Sequence, residues 1–579
     1  MSPSNPSEDV YITEQFFGTK RRLKAIVVGA GVSGLNFFKL AEEKGEELDI
    51  VCFEKNDDIG GTWLENRYPG CACDVPSVVY QYPWRPAPWS HYWSQASEIW
   101  DYLKTVEREN HFVEKYVKLR HEVLSMSWTD EAGRWEVEVQ DLESGSRWVE
   151  SGDVVINATG VLNKWKWPNI NGLQSFKGIL LHSAAWDPNV DLTGKRVAVI
   201  GAGSSAVQII PSIYDSVEKI YTWVRSKIWI TGTFSQQFVR SDGANYAYSP
   251  EQQQIFSNED EYLAYRKMVE EPFNRRFGFI LNGTKEQKAA LKFCHDYMTT
   301  NLQSRPDIRD KIVPTDFSVG CRRPTPGYGY LQSLCGPKTT TYTQELTTIT
   351  ENGFLDPDDN EHAVDVIICA TGFDTTFKPR TPLLVNGVDM GKLWSTRETV
   401  PSYLSVGLAG VPNYFISGGA YFPVAHGSFF PLIHKFCEYT LQILEKMQLE
   451  NITSVRPNLQ RTDQFLSHAD AFLKRTVWTD PCTSWFKGGK KDGKPALWPG
   501  SRLHFLKLLE APRMEDYDIE YSVPENPFAF LGNGMHVAEI ENGGDLTWYL
   551  GNPTHEVDKT RIAHLMSANE KLTNGTSVA

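Results

Sequence analysis

The stretch KAIVVGAGVSGLNFFKLAEEKGEELDIVCFE, residues 24–54, decides the fold. KAIVV (24–28) is a short apolar run, the pattern of a strand buried on both faces. LNFFKLAEEKG carries apolar residues at helical spacing, and DIVCFE (49–54) is a second strand. Gly29, Gly31 and Gly34 form G-x-G-x-x-G between the first strand and the helix. Glycines at these points permit a tight turn and let a pyrophosphate approach the helix N-terminus. Glu54 stands 20 residues after Gly34. A carboxylate there accepts both ribose hydroxyls of a dinucleotide and repels a 2′-phosphate.

The plan repeats. RVAVI (196–200) leads into GAGSSA (201–206), a helix VQIIPSIYD and a strand KIYTWVR (219–225). Gly201, Gly203, Ser204, Ser205 and Ala206 form this second loop. Alanine is tolerated as the last member because that position meets the helix–strand contact, not the phosphate. Arg225, followed by Ser226, takes the place of Glu54: Gly29 to Glu54 spans 25 residues and Gly201 to Arg225 spans 24. An arginine there pairs with a 2′-phosphate, so the second loop reads as an NADPH site. VVINATG (154–160) and VDVIICATGF (364–373) are strands with the same Ala-Thr-Gly ending, read as the points where the chain crosses between the two sheets.

Residues 235–317 change character and are charged and helical in period, as in EDEYLAYRKMVEEPFNRRF. The expected fold class is α/β: two Rossmann-like dinucleotide-binding domains with a helical insertion in the second. The expected limits are 1–165 with 380–579 for the first domain, 166–234 with 318–379 for the second, and 235–317 for the insertion, which is expected to cap the active site. The tail from about residue 566 reads as disordered.

Composition narrows the function. Aromatic residues make up 12%, with 18 Trp and 24 Tyr, which suits large flat ligands, although aromatics mostly fill core. A net charge of -14 argues against nucleic acid as a partner. Nine cysteines are scattered, with no metal-ligand spacing, and reduced thiols in a cytoplasmic protein are expected. No secretory leader and no membrane span is read, and the sequons at Asn282, Asn451 and Asn574 are taken as unused.

Two further stretches point to chemistry. GGTWLENRYPGCACD (60–74) reads Gly-Gly-x-Trp, four residues, Tyr-Pro-Gly, three residues, Asp. FKGILLHSAAWD (176–187) reads Phe-x-Gly-x-x-x-His-x-x-x-Trp-Asp. Together they resemble the fingerprints of the type I Baeyer–Villiger monooxygenases, and the resemblance runs from Lys24 to about Gly551. GCRRPTPGYGYLQSL (320–334) and HGSFFP (426–431) look like the corresponding segments of fungal members.

The resemblance implies FAD on the first loop and NADPH on the second. It implies a flavin peroxide that inserts one oxygen atom of O2 beside a ketone carbonyl, giving an ester or lactone. Gly61, Thr62 and Trp63 then continue the FAD site, with Asp74 and Tyr80 at or beside the flavin. Val123 matches a residue near adenine, though core packing is the plainer reading. Arg323 matches the arginine over the flavin and Asp74 its acidic partner; Arg322 stands where the family has a lysine that reaches the NADP phosphate. Trp485, in SWFKGGKKDGK, matches a tryptophan that folds over the nicotinamide. His182, with Phe176, Gly178 and Trp186, matches a link between domains rather than a general base. A redox role for Cys71 and Cys73 is disfavoured by their spacing.

Two other readings stay open. A flavin-containing or N-hydroxylating monooxygenase has a similar fingerprint but ends it in Tyr or Phe where this chain has Trp186. A noncatalytic flavoprotein is opposed by the retained set Glu54, Arg225 and Arg323. The particular ketone and the oligomeric state are not legible in the sequence.

Overall fold

Each glycine loop rises from its own five-stranded parallel sheet in the computed structural model, which describes residues 12–45, 47–232, 238–240, 243–424, 426–540, 545–551 and 557–567. The first sheet runs Tyr414–Ile416, Val154–Asn157, Leu23–Val28, Leu48–Glu54, Val117–Leu119. The second runs Thr339–Tyr342, Lys219–Trp223, Arg196–Ile200, Val366–Cys369, Ile179–His182. All pairings in both sheets are parallel. Parallel strands need cover on both faces, which is why KAIVV and RVAVI read as unbroken apolar runs. Ala25, Val27, Val197 and Val199 are fully buried. The helices Val32–Lys44 and Ser204–Ile213 follow the two loops, as the sequence predicts.

The two units repeat down to their loop contacts. Gly29 has φ +102°, and a Cβ there would meet the carbonyl of Ala158, in the first Ala-Thr-Gly, at 3.0 Å. Gly201 has φ +127°, and a Cβ there would collide with the carbonyl of Ala370, in the second. Each loop therefore needs glycine at its first position both for backbone conformation and for the approach of the neighbouring strand.

A third sheet is not separated out by the sequence reading. It runs Val388–Asp389, Leu383–Val385, His121–Thr129, Arg134–Asp141, Arg147–Gly152. The last three strands pair antiparallel. Their alternate residues Trp135, Val137 and Val139 are fully buried, the period-2 pattern of a half-buried sheet.

The expected insertion is helical: Pro250–Ile255, Glu259–Asn274, Lys285–Asn301 and Pro306–Ile312. Ser249, Asn258 and Thr284 cap the first three through their side chains. Residues 235–237 and 241–242 of the expected insertion lie outside the described residues. No helix among the described residues is long and apolar enough to cross a membrane.

Residues 21–522 form one unit, and the described parts of 1–20 and 523–579 form another. In the second unit the Thr13 hydroxyl donates to Ala529 O at 2.8 Å, and Phe17 N–H donates to Met535 O at 2.8 Å. Its last described element is the helix Lys559–Ser567; the rest of the tail expected to be disordered lies outside the described residues.

Candidate active site

The first loop is built by close approach. A Cβ on Gly34 would collide with the carbonyl of Gly29, so the turn closes on itself only with glycine. Gly31 lies against the second glycine pair: a Cβ on Gly61 would meet Gly31 Cα at 3.3 Å. Trp63 follows, packed edge-on against Tyr80 with ring centroids 5.5 Å apart. Glu54, at the end of its strand, is buried, and its Oε2 accepts the Ala30 N–H at 2.8 Å. Its Oε1 accepts from the Asn56 backbone and side chain at 3.0 and 2.9 Å. Burial raises its carboxyl pKa, and these hydrogen bonds oppose that. Val123 is buried in the core of the antiparallel sheet, opposite Val139, so packing accounts for it.

The second loop is open at its second glycine. A Cβ on Gly203 would meet nothing within 4 Å. Ala206 is fully buried at the start of its helix, consistent with a packing position. Arg225 is exposed and pairs with Glu345 at 2.6 Å. Ser226 is half-buried beside it. Arg322 lies against the chain two residues beyond Arg225: its Nη1 donates to Lys227 O at 3.5 Å. Burial lowers its pKa.

Arg323 and Asp74 meet. Their side chains are 2.5 Å apart and each is about a quarter to a third exposed, at 29% and 27%. Two sets of contacts fix this geometry. On one side, Thr325–Pro326 pairs with Ile230–Thr231, with Thr325 N–H donating to Trp229 O at 2.9 Å. On the other, the Tyr68-Pro69-Gly70 turn lies on the helix that follows the second glycine loop. The Tyr68 hydroxyl donates to Gln208 Oε1 at 2.8 Å, and Gln208 Nε2 donates to Ala72 O at 2.9 Å. Gly70, at φ +78°, leaves no room for a Cβ against Ser212 and the Gln208 carbonyl. The fingerprint of the first domain thus grips the nucleotide helix of the second. Gln208 carries no signal in the sequence that would single it out.

One expectation is corrected. Cys321 and Cys482 are joined in a disulfide, so the nine cysteines are not all reduced thiols. Their separation of 161 residues hides the pairing from any reading of local spacing. Cys71 and Cys73 are free and buried. Burial pushes the Cys71 thiol up to about 11 and the Cys73 thiol well above its usual range, so neither is a thiolate at neutral pH.

Trp485 is half-buried on a short 3-10 turn, with ring centroids 6.2 Å from Phe377 and 6.1 Å from Phe422. In the 426–431 segment, His426 donates from Nδ1 to Val424 O at 2.9 Å and accepts the Arg502 N–H on Nε2 at 2.6 Å. The buried Arg502 guanidinium pairs with Glu270, and with Asn274 at 3.0 Å. This ties the helical insertion to the segment.

His182 is buried, stacked on Trp165 with centroids 4.3 Å apart and edge-on to Trp167. Nδ1 accepts the Ala184 N–H at 3.1 Å, which leaves the ring proton on Nε2, 3.3 Å from the Thr371 hydroxyl. Burial lowers its pKa to about 4. A neutral, fully engaged imidazole at the end of the edge strand Ile179–His182 suits a structural link. Gly178 is required because the Phe176 ring folds over it and the Asp365 carbonyl would lie 2.7 Å from a Cβ. Trp186 is buried in the same core as the first sheet.

Comparison with known proteins agrees with this architecture. The sequence model of the family described as "Flavin-binding monooxygenase-like" matches residues 22–292. The FAD-binding monooxygenase tazF of Aspergillus terreus is 36% identical over 544 residues, covering 92% of this chain and 95% of that protein. A Baeyer-Villiger monooxygenase of Pseudomonas aeruginosa is 28% identical, covering 89% of this chain and 94% of that one. In fold, the chain superposes on a closed crystal structure of cyclohexanone monooxygenase with a TM-score of 0.73 at 24% identity, covering 87% of this chain and all of that one. By its sequence and by its two linked nucleotide loops, the chain belongs to the flavin-binding monooxygenase family.

Proposed function

We propose that this monooxygenase binds FAD on the Gly29 loop and NADPH on the Gly201 loop, and inserts one oxygen atom of O2 beside a ketone carbonyl to give an ester or lactone. The ion pair between Arg323 and Asp74 carries the reading. When bound, NADPH would supply the hydride that reduces FAD, and the reduced flavin would activate O2.

The residues fit both groups. The abutting turns at Gly31 and Gly61 carry no side chains, so a pyrophosphate could approach their backbone closely. Glu54 uses two oxygens for three N–H donors and keeps acceptor capacity for a ribose. Trp63 and Tyr80 would border the flavin, while Val123 serves the core. Gly203, with Ser204 and Ser205, leaves space for the second pyrophosphate. Arg225, Ser226 and Arg322 would take the 2′-phosphate, and Trp485 would border the nicotinamide. Residues 1–165 with 380–579 and 166–234 with 318–379 would serve the two cofactors in turn.

Arg323 supplies a positive charge on a planar fork. Asp74 holds that fork in one orientation. A partly water-shielded guanidinium stabilises negative charge as it develops on oxygen during attack on the carbonyl. Phe176, Gly178, His182 and Trp186 keep the domain link in place and touch no reacting atom in this scheme.

A panel of ketones incubated with NADPH and 18O-labelled O2, with products analysed by mass, tests the proposal. One 18O atom in an ester or lactone is the expected result. Oxidation of amines or sulfides alone, with every ketone returned unchanged, would replace it with the N- or S-oxidising reading.

A further inference from the structure

The disulfide lies between the two segments that the proposed function assigns to oxygen transfer and to the nicotinamide. Cys321 immediately precedes Arg322 and Arg323, and Cys482 stands three residues before Trp485. Both cysteines are buried, at 0% and 2% exposure, so the bond is shielded from bulk reductants. Its Cα atoms are 6.2 Å apart, within the ordinary range for a bridged pair.

The surrounding contacts turn the bond into a clamp. Ser318 N–H donates to Asp480 Oδ2 at 2.8 Å, from just before Cys321 to just before Cys482. The buried Lys487 donates from Nζ to the carbonyls of Asp480 at 2.8 Å and Lys491 at 2.7 Å, which folds the Trp485 segment on itself. On the far side of the arginines, Thr325 is fixed to Trp229 O. Pro324 between them has no N–H to donate. Arg322 and Arg323 are thus strung between two anchors, and the disulfide is the covalent one.

We propose that the Cys321–Cys482 disulfide is a positioning element for oxygen transfer: it fixes the arginine segment to the Trp485 segment, so that the two hold one relative placement when NADP+ is bound. This rests on the proposed roles of Arg323 and Trp485. The cysteines themselves touch no reacting atom. Their effect is transmitted through the next two residues on one side and the next three on the other.

The bond is tested first by counting thiols. Alkylation of the denatured holoenzyme without reductant is expected to label seven cysteines, matching the seven free thiols of the structure, and nine after reduction. Labelling of all nine without reductant overturns the proposal.

Function is tested with Cys321→Ser, Cys482→Ser and the double variant, each purified with FAD. Small displacements of positioned groups cost rate steeply, so the fraction of oxidised NADPH that appears as hydrogen peroxide should rise about fivefold or more. Flavin reduction by NADPH should fall less than ester formation, because Lys487 keeps the Trp485 segment folded on itself without the bond and the Arg323 charge acts in oxygen transfer. A bond that only stabilises the fold would lower Tm and leave the peroxide fraction unchanged, and that result overturns the proposal. If the serine variants do not fold, the pair Cys321→Val with Cys482→Ala fills the buried space without the bond and is read in the same way. If the enzyme proves to oxidise a sulfide or amine, the peroxide fraction is measured with that substrate, so failure of the ketone reading and failure of the clamp remain distinguishable.

Discussion

The carboxylate of Asp74 lies 2.5 Å from the guanidinium of Arg323, although the two residues lie in separate segments of the chain, 60–74 and 320–334. The pair is neither deeply buried nor freely solvated. A lone surface pair of this kind would add little to stability, so its consequence should be read in catalysis. Arg323→Ala is expected to retain FAD, whose loop contacts lie elsewhere, to oxidise NADPH slowly, and to release hydrogen peroxide in place of ester. The loss of one preorganised donor amounts to about 2.7–4 kcal/mol, roughly a hundred- to a thousandfold in product formation. Asp74→Ala should follow the same course less severely, since it leaves the charge and removes only its orientation. Ester yield and peroxide measured together, beside flavin absorbance, check both variants. Wild-type ester yield from a flavin-replete Arg323→Ala protein would remove that residue from the mechanism.

Arg225 is expected to set cofactor preference, and its partner Glu345 sharpens the expectation. Both side chains are about two-thirds exposed, at 66% and 65%, so the pair is weak and readily exchanged for a 2′-phosphate. Arg225→Ala should lower kcat/KM for NADPH by about ten- to a hundredfold, the worth of a charge-assisted contact, and leave NADH nearly unchanged. Glu345→Gln should act in the opposite direction, lowering KM for NADPH by a few fold because Arg225 is no longer shared. Parallel changes with both cofactors would assign Arg225 to folding instead.

His182 and His426 make stability depend on pH in a defined window. Burial lowers both from 6.5 to about 4. Between these values the unfolded chain takes up a proton at each ring and the folded chain does not. Their full stabilisation is therefore present above pH 6.5 and is lost as pH falls toward 4. Salt-bridged carboxylates such as Glu438, whose pKa is lowered from 4.5 to about 2, begin to contribute only at the acidic end of that window. Tm recorded from pH 7.5 down to about 5 should fall, and the slope should roughly halve in His182→Gln. An unaltered slope would show that His182 does not stay neutral in the fold.

Much of the first two sheets was legible because a parallel strand must be apolar throughout and a phosphate loop must be glycine-rich. KAIVVGAG and RVAVIGAG satisfy both demands within eight residues. The offset from the loops predicts Glu54 and Arg225 at or just past the strand ends where the structure has them, and the resemblance pairs Asp74 with Arg323 as the ion pair does. What the sequence hid is long-range. The Cys321–Cys482 pairing leaves no trace in spacing. Gln208 looks like any helix residue until Tyr68 and Ala72 are seen on either side of it. The antiparallel strands through Trp128 and Trp135 alternate in burial, but the strand Leu383–Val385 that pairs parallel beside them comes from far along the chain. Nothing in the sequence distinguishes Glu345, the partner of Arg225, from any other surface carboxylate.

Gly70 couples the Tyr-Pro-Gly turn to the helix that follows the second glycine loop. Gly70 has φ +78°, which disfavours any side chain, and a Cβ would strike the Ser212 hydroxyl and lie 2.7 Å from the Gln208 carbonyl. Gly70→Ala should therefore push the Tyr-Pro-Gly turn off the helix Ser204–Ile213, at a cost of about 1–3 kcal/mol from backbone strain and overpacking. Tyr68 and Ala72 would then lose their shared partner Gln208, and Asp74, two residues beyond Ala72, would shift relative to Arg323. The expected phenotype is a lower Tm, a higher KM for NADPH and a larger peroxide fraction, with FAD still bound. Ser212→Gly in the same chain removes one clash but neither the strained φ nor the Gln208 carbonyl, so it should restore part of the stability and little of the coupling. Coupling equal to wild type in Gly70→Ala, with Tm alone reduced, would show that the turn stabilises the fold without setting the placement of Asp74.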